Sequence, residues 1–175
     1  MDDTFSRDLI TMLPRLRRFA VALTGSRQEA NELVQDTCER AIKASASWSP
    51  GTRLDAWLFR ILRNLWIDAL RRQRHRGWAE PLDLHTEIAD PAAGGERQLD
   101  ARMALQKVRA AIACLPDDQR EVLVMVCIEE LSYRETAGVL DVPIGTVMSR
   151  LSRARRRVAE LIGDSGCERR TSAER

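Results

Sequence analysis

The sequence predicts an all-α protein: two small helical domains joined by a flexible acidic linker. Three observations carry the prediction. Apolar residues recur at helical spacing in one stretch after another. Ser26 with Glu29, Thr52 with Asp55, and Ser132 with Glu135 have the spacing of helix-start pairs. Composition agrees, with 44% hydrophobic residues but only 5% aromatic ones, in a chain rich in Ala, Leu, Arg and Glu. A length of 175 residues suits one ordinary domain or two small ones. The stretch 78–98, where periodicity disappears, divides it in two.

A first helix is expected over 6–23, with Leu9, Ile10, Leu13, Leu16, Phe19, Ala20 and Leu23 as its apolar face. Pro14 should kink it or mark a restart, because proline removes a backbone donor. Gly25 supplies the stop, and Ser26 with Glu29 starts a second helix that runs to about residue 44. Ala30, Leu33, Val34, Thr37, Ala41 and Ile42 face inward. The outward residues, including Glu32, Gln35, Asp36 and Glu39, form an acidic face that reads as a solvated surface or as a dock for a basic partner. The loop 45–51 (SASWSPG) is broken by Pro50 and Gly51. Within it Trp48 reads first as a lid on the core and second as a wall for a flipped base.

The run 52–76 carries two faces. Trp57, Leu58, Ile61, Leu62, Leu65, Ala69 and Leu70 form an apolar one. Arg60, Arg63, Asn64, Asp68, Arg71 and Arg72 recur on another. From Trp57 onward Asp68 is the only acid, against six arginines ending at Arg76. Solvated helices usually mix both signs, so a one-signed stripe suits a polyanion; cations favoured at a helix C-terminus are the plainer reading. The net charge of the whole chain is only +2, so the signal lies in segregation rather than in the sum.

Residues 78–98 contain Pro81, Pro91, Gly94, Gly95 and five acids from Glu80 to Glu96, the composition of a linker. Helical spacing resumes with Leu99, Met103, Leu105, Val108 and Ile112. Pro116 suits the first turn of a helix over 117–130 that buries Val122, Leu123, Met125, Val126 and Ile128. A short helix over 133–140, a turn at Asp141-Val142-Pro143 and a last helix to about residue 162 follow. The tail to residue 175 is expected to be disordered.

Residues 132–157 have the anatomy of a helix-turn-helix. Thr136, Ala137, Val139 and Leu140 meet Ile144, Val147, Leu151 and Ala154 across the turn. The opposite face shows Thr146, Met148, Ser149, Arg150, Ser152, Arg153, Arg155 and Arg156. Residues near the start of such a helix reach base edges, while its arginines hold phosphates. A plain helical hairpin with a basic end is the alternative.

Four segments, in this order, resemble the extracytoplasmic-function sigma factors of bacterial RNA polymerase: ANELVQDTCERA (30–41), the run 52–72, LPDDQREVLVM (115–125) and LSYRETAGVLDVPIGTVMSRLSRARRRV (131–158). The resemblance covers nearly all of 8–162 outside the linker. TGSRQEANELVQDT and AWLFRILRN are similar to the branch serving the alphaproteobacterial general stress response. The resemblance implies a region 2 domain over 6–76, a linker over 77–98, a region 4 domain over 99–162 and a tail over 163–175. It implies that Glu32, Gln35, Asp36 and Glu39 dock on core RNA polymerase. Trp48, Arg53, Arg60, Asn64, Asp68, Arg71 and Arg72 would grip the melted minus-ten element. Extruding a base costs a few kcal/mol, which cationic and aromatic groups offset. Thr146, Met148, Ser149, Arg150, Ser152, Arg153, Arg155 and Arg156 would hold the minus-thirty-five duplex. An anti-sigma factor as regulatory partner is implied as well. The family commonly has Lys or Arg where this chain has Met148, a change that weakens a guanine or phosphate contact and favours a thymine methyl.

The residues show no acid–base pair, nucleophile triad or phosphate loop, so the expectation is a DNA-binding initiation factor and not an enzyme. Cys38, Cys114, Cys127 and Cys167 are scattered, without metal-ligand spacing. The first three read as small core or boundary residues and Cys167 as a tail thiol; no cofactor or metal is expected. The acidic start and the lack of a long apolar run predict a cytoplasmic chain without membrane insertion. Two other readings compete: a free-standing helix-turn-helix regulator, which leaves the stripe and acidic face of 26–76 idle, and a helical protein-interaction adaptor.

Overall fold

A computed structural model describes residues 3–48, 51–75 and 96–163. All the regular structure among them is helical: α1 (Asp3–Thr24), α2 (Arg27–Lys43), a 3₁₀ turn (Ser45–Ser47), α3 (Leu54–His75), α4 (Glu96–Ala113), α5 (Asp117–Cys127), α6 (Tyr133–Leu140) and α7 (Ile144–Gly163). The expected tail from residue 164 and most of the expected linker lie outside the described residues. The linker's last residues belong to α4, which begins at Glu96.

Helices α1, α2 and α3 pack on one another. Their centre is the edge-to-face pair Phe19 and Phe59, with ring centroids 5.1 Å apart and both rings fully buried. Leu16, Leu23, Leu58 and Leu62 complete it. Each such side chain contributes about 1.5–3 kcal/mol by leaving water. Pro14 does not interrupt the first helix, which is continuous from Asp3 to Thr24. Gly25 follows it at φ +70°, a backbone setting that costs glycine little. The Ser26 side chain accepts from the Glu29 N–H and starts α2.

In the second half, α5 is central and packs on α6 and α7, while α4 lies along α7. Val122, Val124, Met125, Val147, Leu151 and Ala154 form its interior. Several expected inward residues point out instead. Ile10, Ile42, Met103, Leu105, Ile128 and Ile144 are exposed. Most lie at helix margins or on α4, which is covered on one side only. Cys127 is also exposed, not a boundary residue, and the half-buried Cys114 is disulfide-bonded.

The buried apolar side chains of the two halves run together into one cluster. α1 touches α4 and α5, and α3 touches α6. Charged groups cross the same boundary. Glu129 lies in the turn after α5, and its side chain has no exposure. It accepts from Arg15 Nε at 2.9 Å and Arg18 Nε at 3.2 Å, and its carbonyl accepts from Arg15 Nη2 at 2.7 Å. The Arg15 guanidinium also lies 5.4 Å from the centre of the Phe59 ring. Buried Glu121 accepts from Arg63 at 3.0 Å. Buried Arg120 donates to the carbonyls of Leu23, Ala113, Leu115 and Ile112, joining the end of α1 to the α4–α5 turn.

Candidate nucleic-acid interface

The acidic set sits on one helix. Glu32, Gln35, Asp36 and Glu39 are all exposed on α2. Gln28 donates to Glu32 at 3.3 Å, and Lys43 pairs with Glu39 at 3.1 Å, contacts that water readily replaces. Glu32 and Asp36 form one wall of a groove of about 550 Å³, with Trp66 and Arg72 on α3 across from them. The acidic set therefore adjoins the basic stripe.

On α3, Arg60, Asn64, Asp68, Arg71 and Arg72 are exposed. The spacing 60, 64, 68 and 71 places four of them along one stripe. Asn64, Asp68 and Arg71 share a cleft of about 390 Å³ with Arg40 and Arg63. Asp68 lies 3.7 Å from Arg71, and Arg72 donates to the Asp68 carbonyl at 3.2 Å. Exposed pairs of this kind are worth at most about 1 kcal/mol, so a phosphate competes with them easily.

Trp48 and Arg53 stand apart from that row. Trp48 is half-buried with its ring 5.7 Å from Phe5, as a lid on the start of α1. Its indole N–H is buried without a hydrogen-bond partner among the described residues. Ser49 and Pro50 of the same loop lie outside the described residues. Arg53 pairs with Asp55 at the start of α3 and reaches Glu135 Oε1 at 2.7 Å in the second half. Burial works to raise the Asp55 pKa. Arg53, the Ala56 N–H and Arg15 outweigh it and lower the value to about 2. Asp55 is thus a carboxylate clamped by two arginines.

The helix-turn-helix forms as its residues suggest. Ser132 accepts from the Glu135 N–H at 3.2 Å, and Glu135 accepts from the Ser132 N–H at 2.7 Å, a complete capping box. Asp141 takes φ +55°, a left-handed setting that Asp tolerates better than most residues. Val142 N–H then reaches back to the Ala137 carbonyl at 3.1 Å. On α7, Met148, Ser149, Ser152 and Arg153 are exposed and Thr146 is half-buried. Ser149 Oγ donates to the Thr146 carbonyl at 3.0 Å, and Arg153 Nε donates to the Ser149 carbonyl at 3.2 Å. Arg150 turns aside to Asp118 at 3.1 Å. Arg155 leans on Cys127 Sγ at 3.6 Å, and Arg156 lies 3.9 Å from Glu160. Met148 is 52% exposed with Ile144 beside it at 47%, so the outer face of this helix start is apolar.

The sequence reading missed the charged groups between the halves: Arg15, Arg18, Arg120, Glu121 and Glu129. A signal existed for two of them. Arg120 and Glu121 lie one helical turn before the buried Val124 and Met125, so helical spacing places them on the inward side. Among the described residues no helix is long and apolar enough to cross a membrane, and no group of three His, Cys, Asp or Glu side chains gathers as a metal site.

Residues 9–76 match the Sigma-70 region 2 family, and residues 105–158 match Sigma-70, region 4. The chain is 36% identical over 168 residues to the ECF RNA polymerase sigma factor EcfG of Rhodopseudomonas palustris, covering 96% of this chain and 90% of that one. The sigma factor RpoE, crystallised with the anti-sigma factor NepR from Bartonella quintana, superposes with a TM-score of 0.77 at 36% identity, over 91% of this chain and 97% of that one. CnrH, in complex with the cytosolic domain of CnrY, gives a TM-score of 0.67 at 25% identity, over 93% of this chain and 89% of that one.

Proposed function

From the premise that this chain belongs to the ECF RNA polymerase sigma factors, we propose how its surfaces divide the work of promoter recognition. As a sigma factor it directs core polymerase to promoters and initiates transcription. In our reading the exposed acids of α2, Glu32, Gln35, Asp36 and Glu39, meet a basic surface of the polymerase. Arg60, Asn64, Arg71 and Arg72 on α3 then lie beside that dock and hold the non-template strand of the minus-ten element. Asp68 suits the exocyclic amine of an extruded base, and Trp48 and Arg53 border the strand's path. Melting needs no catalysis: contacts made only to the separated strand offset the few kcal/mol of unstacking.

The start of α7 reads the minus-thirty-five duplex through Thr146, Met148, Ser149, Ser152 and Arg153, with Arg150, Arg155 and Arg156 on the backbone. The apolar pair Ile144 and Met148 suits a thymine methyl better than a guanine. The domains take the limits 6–76 and 99–162, joined through 77–98. An anti-sigma factor holds the chain inactive until a stress signal, as the NepR and CnrY complexes of its relatives suggest. The chain acts in the cytoplasm, where core polymerase works.

The observation that carries this reading is the exposed α3 stripe lying against an equally exposed acidic α2. The test is transcription in vitro with core polymerase and a promoter library. Enrichment of two elements, with loss of product for Arg71→Glu combined with Arg72→Glu, is the expected result. Transcription that survives the double reversal removes the single-strand contact, and failure of the wild-type chain to bind core polymerase removes the assignment of surfaces altogether.

A further inference from the structure

The second half carries a covalent feature that promoter reading does not use. Cys114, half-buried just after the end of α4, is disulfide-bonded. The chain has four cysteines, and Cys38 and Cys127 are free. Cys167 is the one that remains. It follows α7, which ends at Gly163, and lies outside the described residues. The two free thiols are ill suited to the same role. Burial pushes the Cys38 thiol pKa up, with Arg17 opposing, which keeps that thiol protonated and slow to react. Cys127 is exposed and accepts from Arg155 Nη2 at 3.6 Å.

The place of Cys114 gives such a bond leverage. Buried Arg120 donates to the carbonyls on either side of it, Ala113 at 2.7 Å and Leu115 at 2.8 Å. The same guanidinium reaches the Leu23 carbonyl at 3.1 Å. The backbone that carries the Cys114 sulfur is thus pinned from both sides. A bond to Cys167 closes a covalent ring over 114–167, which contains α5, α6 and α7 and so the whole helix-turn-helix. Closing a ring of that length removes freedom from the unfolded chain and stabilises the folded one. Met148, Ser149, Ser152 and Arg153 stay exposed while Cys114 is bonded.

Surroundings decide what a bond of this kind means. In the cytoplasm thiol pools keep cysteines reduced, so a disulfide that forms there is transient and reports an oxidant. We propose that Cys114 and Cys167 are a reversible redox pair, closed by hydrogen peroxide and opened by a dithiol. The proposal takes its reducing setting from the proposed function and uses no contact to DNA or polymerase. In the first step the peroxide O–O bond breaks, one thiol becomes a sulfenic acid and a water leaves. The other thiol then attacks that sulfur. The S–O bond breaks, the S–S bond forms and a second water leaves. The two sulfurs lose two electrons and the peroxide gains them. A dithiol reverses the change by exchange, becoming a disulfide itself and returning both protons.

The test uses the full chain, reduced and then exposed to hydrogen peroxide. Maleimide tags followed by intact mass count the free thiols, and peptide mapping without reductant locates any bond. The expected result is two tagged thiols, at Cys38 and Cys127, with one cross-linked peptide pair joining Cys114 to Cys167. The chain should stay monomeric on a non-reducing gel, and dithiothreitol should restore all four tags. The oxidised chain should melt about 5 °C or more above the reduced one. Cys114→Ser and Cys167→Ser should each abolish that rise, and Cys127→Ser should keep it. Should Cys114→Ser weaken the reduced fold, Cys167→Ser alone carries the comparison. Four tagged thiols after peroxide, a bond between any other pair, or a covalent dimer overturns the proposal. A chain that transcribes with core polymerase but keeps four free thiols removes the redox pair and leaves the assignment of surfaces standing. A chain that closes the bond but does not bind polymerase does the reverse.

Discussion

Glu135 is bonded in two directions at once: its carboxylate accepts the Ser132 N–H at 2.7 Å within the helix-turn-helix and pairs with Arg53 at 2.7 Å in the other half. One side chain thus closes the cap of α6 and ties that helix to the head of α3. Its pKa lies below the ordinary carboxylate value, first because of the Ser132 hydrogen bonds and then because of Arg53.

Two substitutions separate those roles. Ser132→Ala removes the cap alone and should cost about 1 kcal/mol, a fall of roughly 2–4 °C in Tm for a chain of this size. Glu135→Ala should lower Tm by at least as much and in addition release Arg53. Differential scanning calorimetry checks the first effect. If Ser132→Ala and Glu135→Ala lower Tm equally, the Arg53 contact adds nothing to stability.

A pH signature follows from Glu121. Burial raises its pKa above the ordinary 4.5, with Arg63 opposing. A carboxyl whose folded pKa is raised contributes stability that is full below 4.5 and lost as pH rises through the shifted value. Asp55 has the opposite sign: its contribution is present above 3.8 and lost as pH falls toward about 2. Glu121→Gln should therefore flatten the decline in stability on the alkaline side of pH 4.5 and leave the acid limb near pH 2–4 in place. Urea midpoints measured across pH for both chains check this, and parallel curves count against it.

Duplex binding should be strongly salt dependent, because phosphate contacts dominate such interfaces. Arg153→Ala should reduce the slope of log affinity against log salt by about 1 if that residue holds a phosphate. Met148→Lys should steepen it by a similar amount. Titrations from low to physiological salt decide; a flat wild-type response removes the duplex reading.

Glu32→Lys combined with Asp36→Lys should abolish co-purification with core polymerase while leaving folding intact, since both side chains are exposed on α2. A thermal midpoint within 2–3 °C of wild type, about 1 kcal/mol, supplies the folding control. Retained polymerase binding would move the dock elsewhere.

Much of the fold was legible because helix faces and caps are local. The Ser132 and Glu135 pair, the turn at Asp141 and the buried set Val147, Leu151 and Ala154 all follow from short-range spacing. The α3 stripe was legible for the same reason. Pro14 does not mark a restart, because a proline removes one hydrogen bond without ending a helix that is packed on both sides of it, as Leu9 and Leu16 are here. The ion pairs between halves were invisible for another reason. Arg15 and Glu129 are 114 positions apart, and nothing in helical periodicity links them. Met103 and Leu105 failed because an apolar residue on a helix announces a face without saying whether anything covers it.

The separation in sequence between those paired charges also sets an order in time. The ribosome delivers Arg15, Arg18, Arg53 and Arg63 before it has made Glu121, Glu129 or Glu135. At about 5–20 residues per second, the interval between the end of α3 and Glu135 is roughly 3–12 seconds. Until Glu121 is made, the nascent first half carries these guanidinium groups without their carboxylate partners from the second half, close to ribosomal RNA, while Asp55 already pairs with Arg15 and Arg53. Asp8, Glu29, Glu32, Asp36, Glu39, Asp55 and Asp68 are already present by then, so the early-made acids of α1, α2 and α3 supply internal counter-charge for the newborn chain.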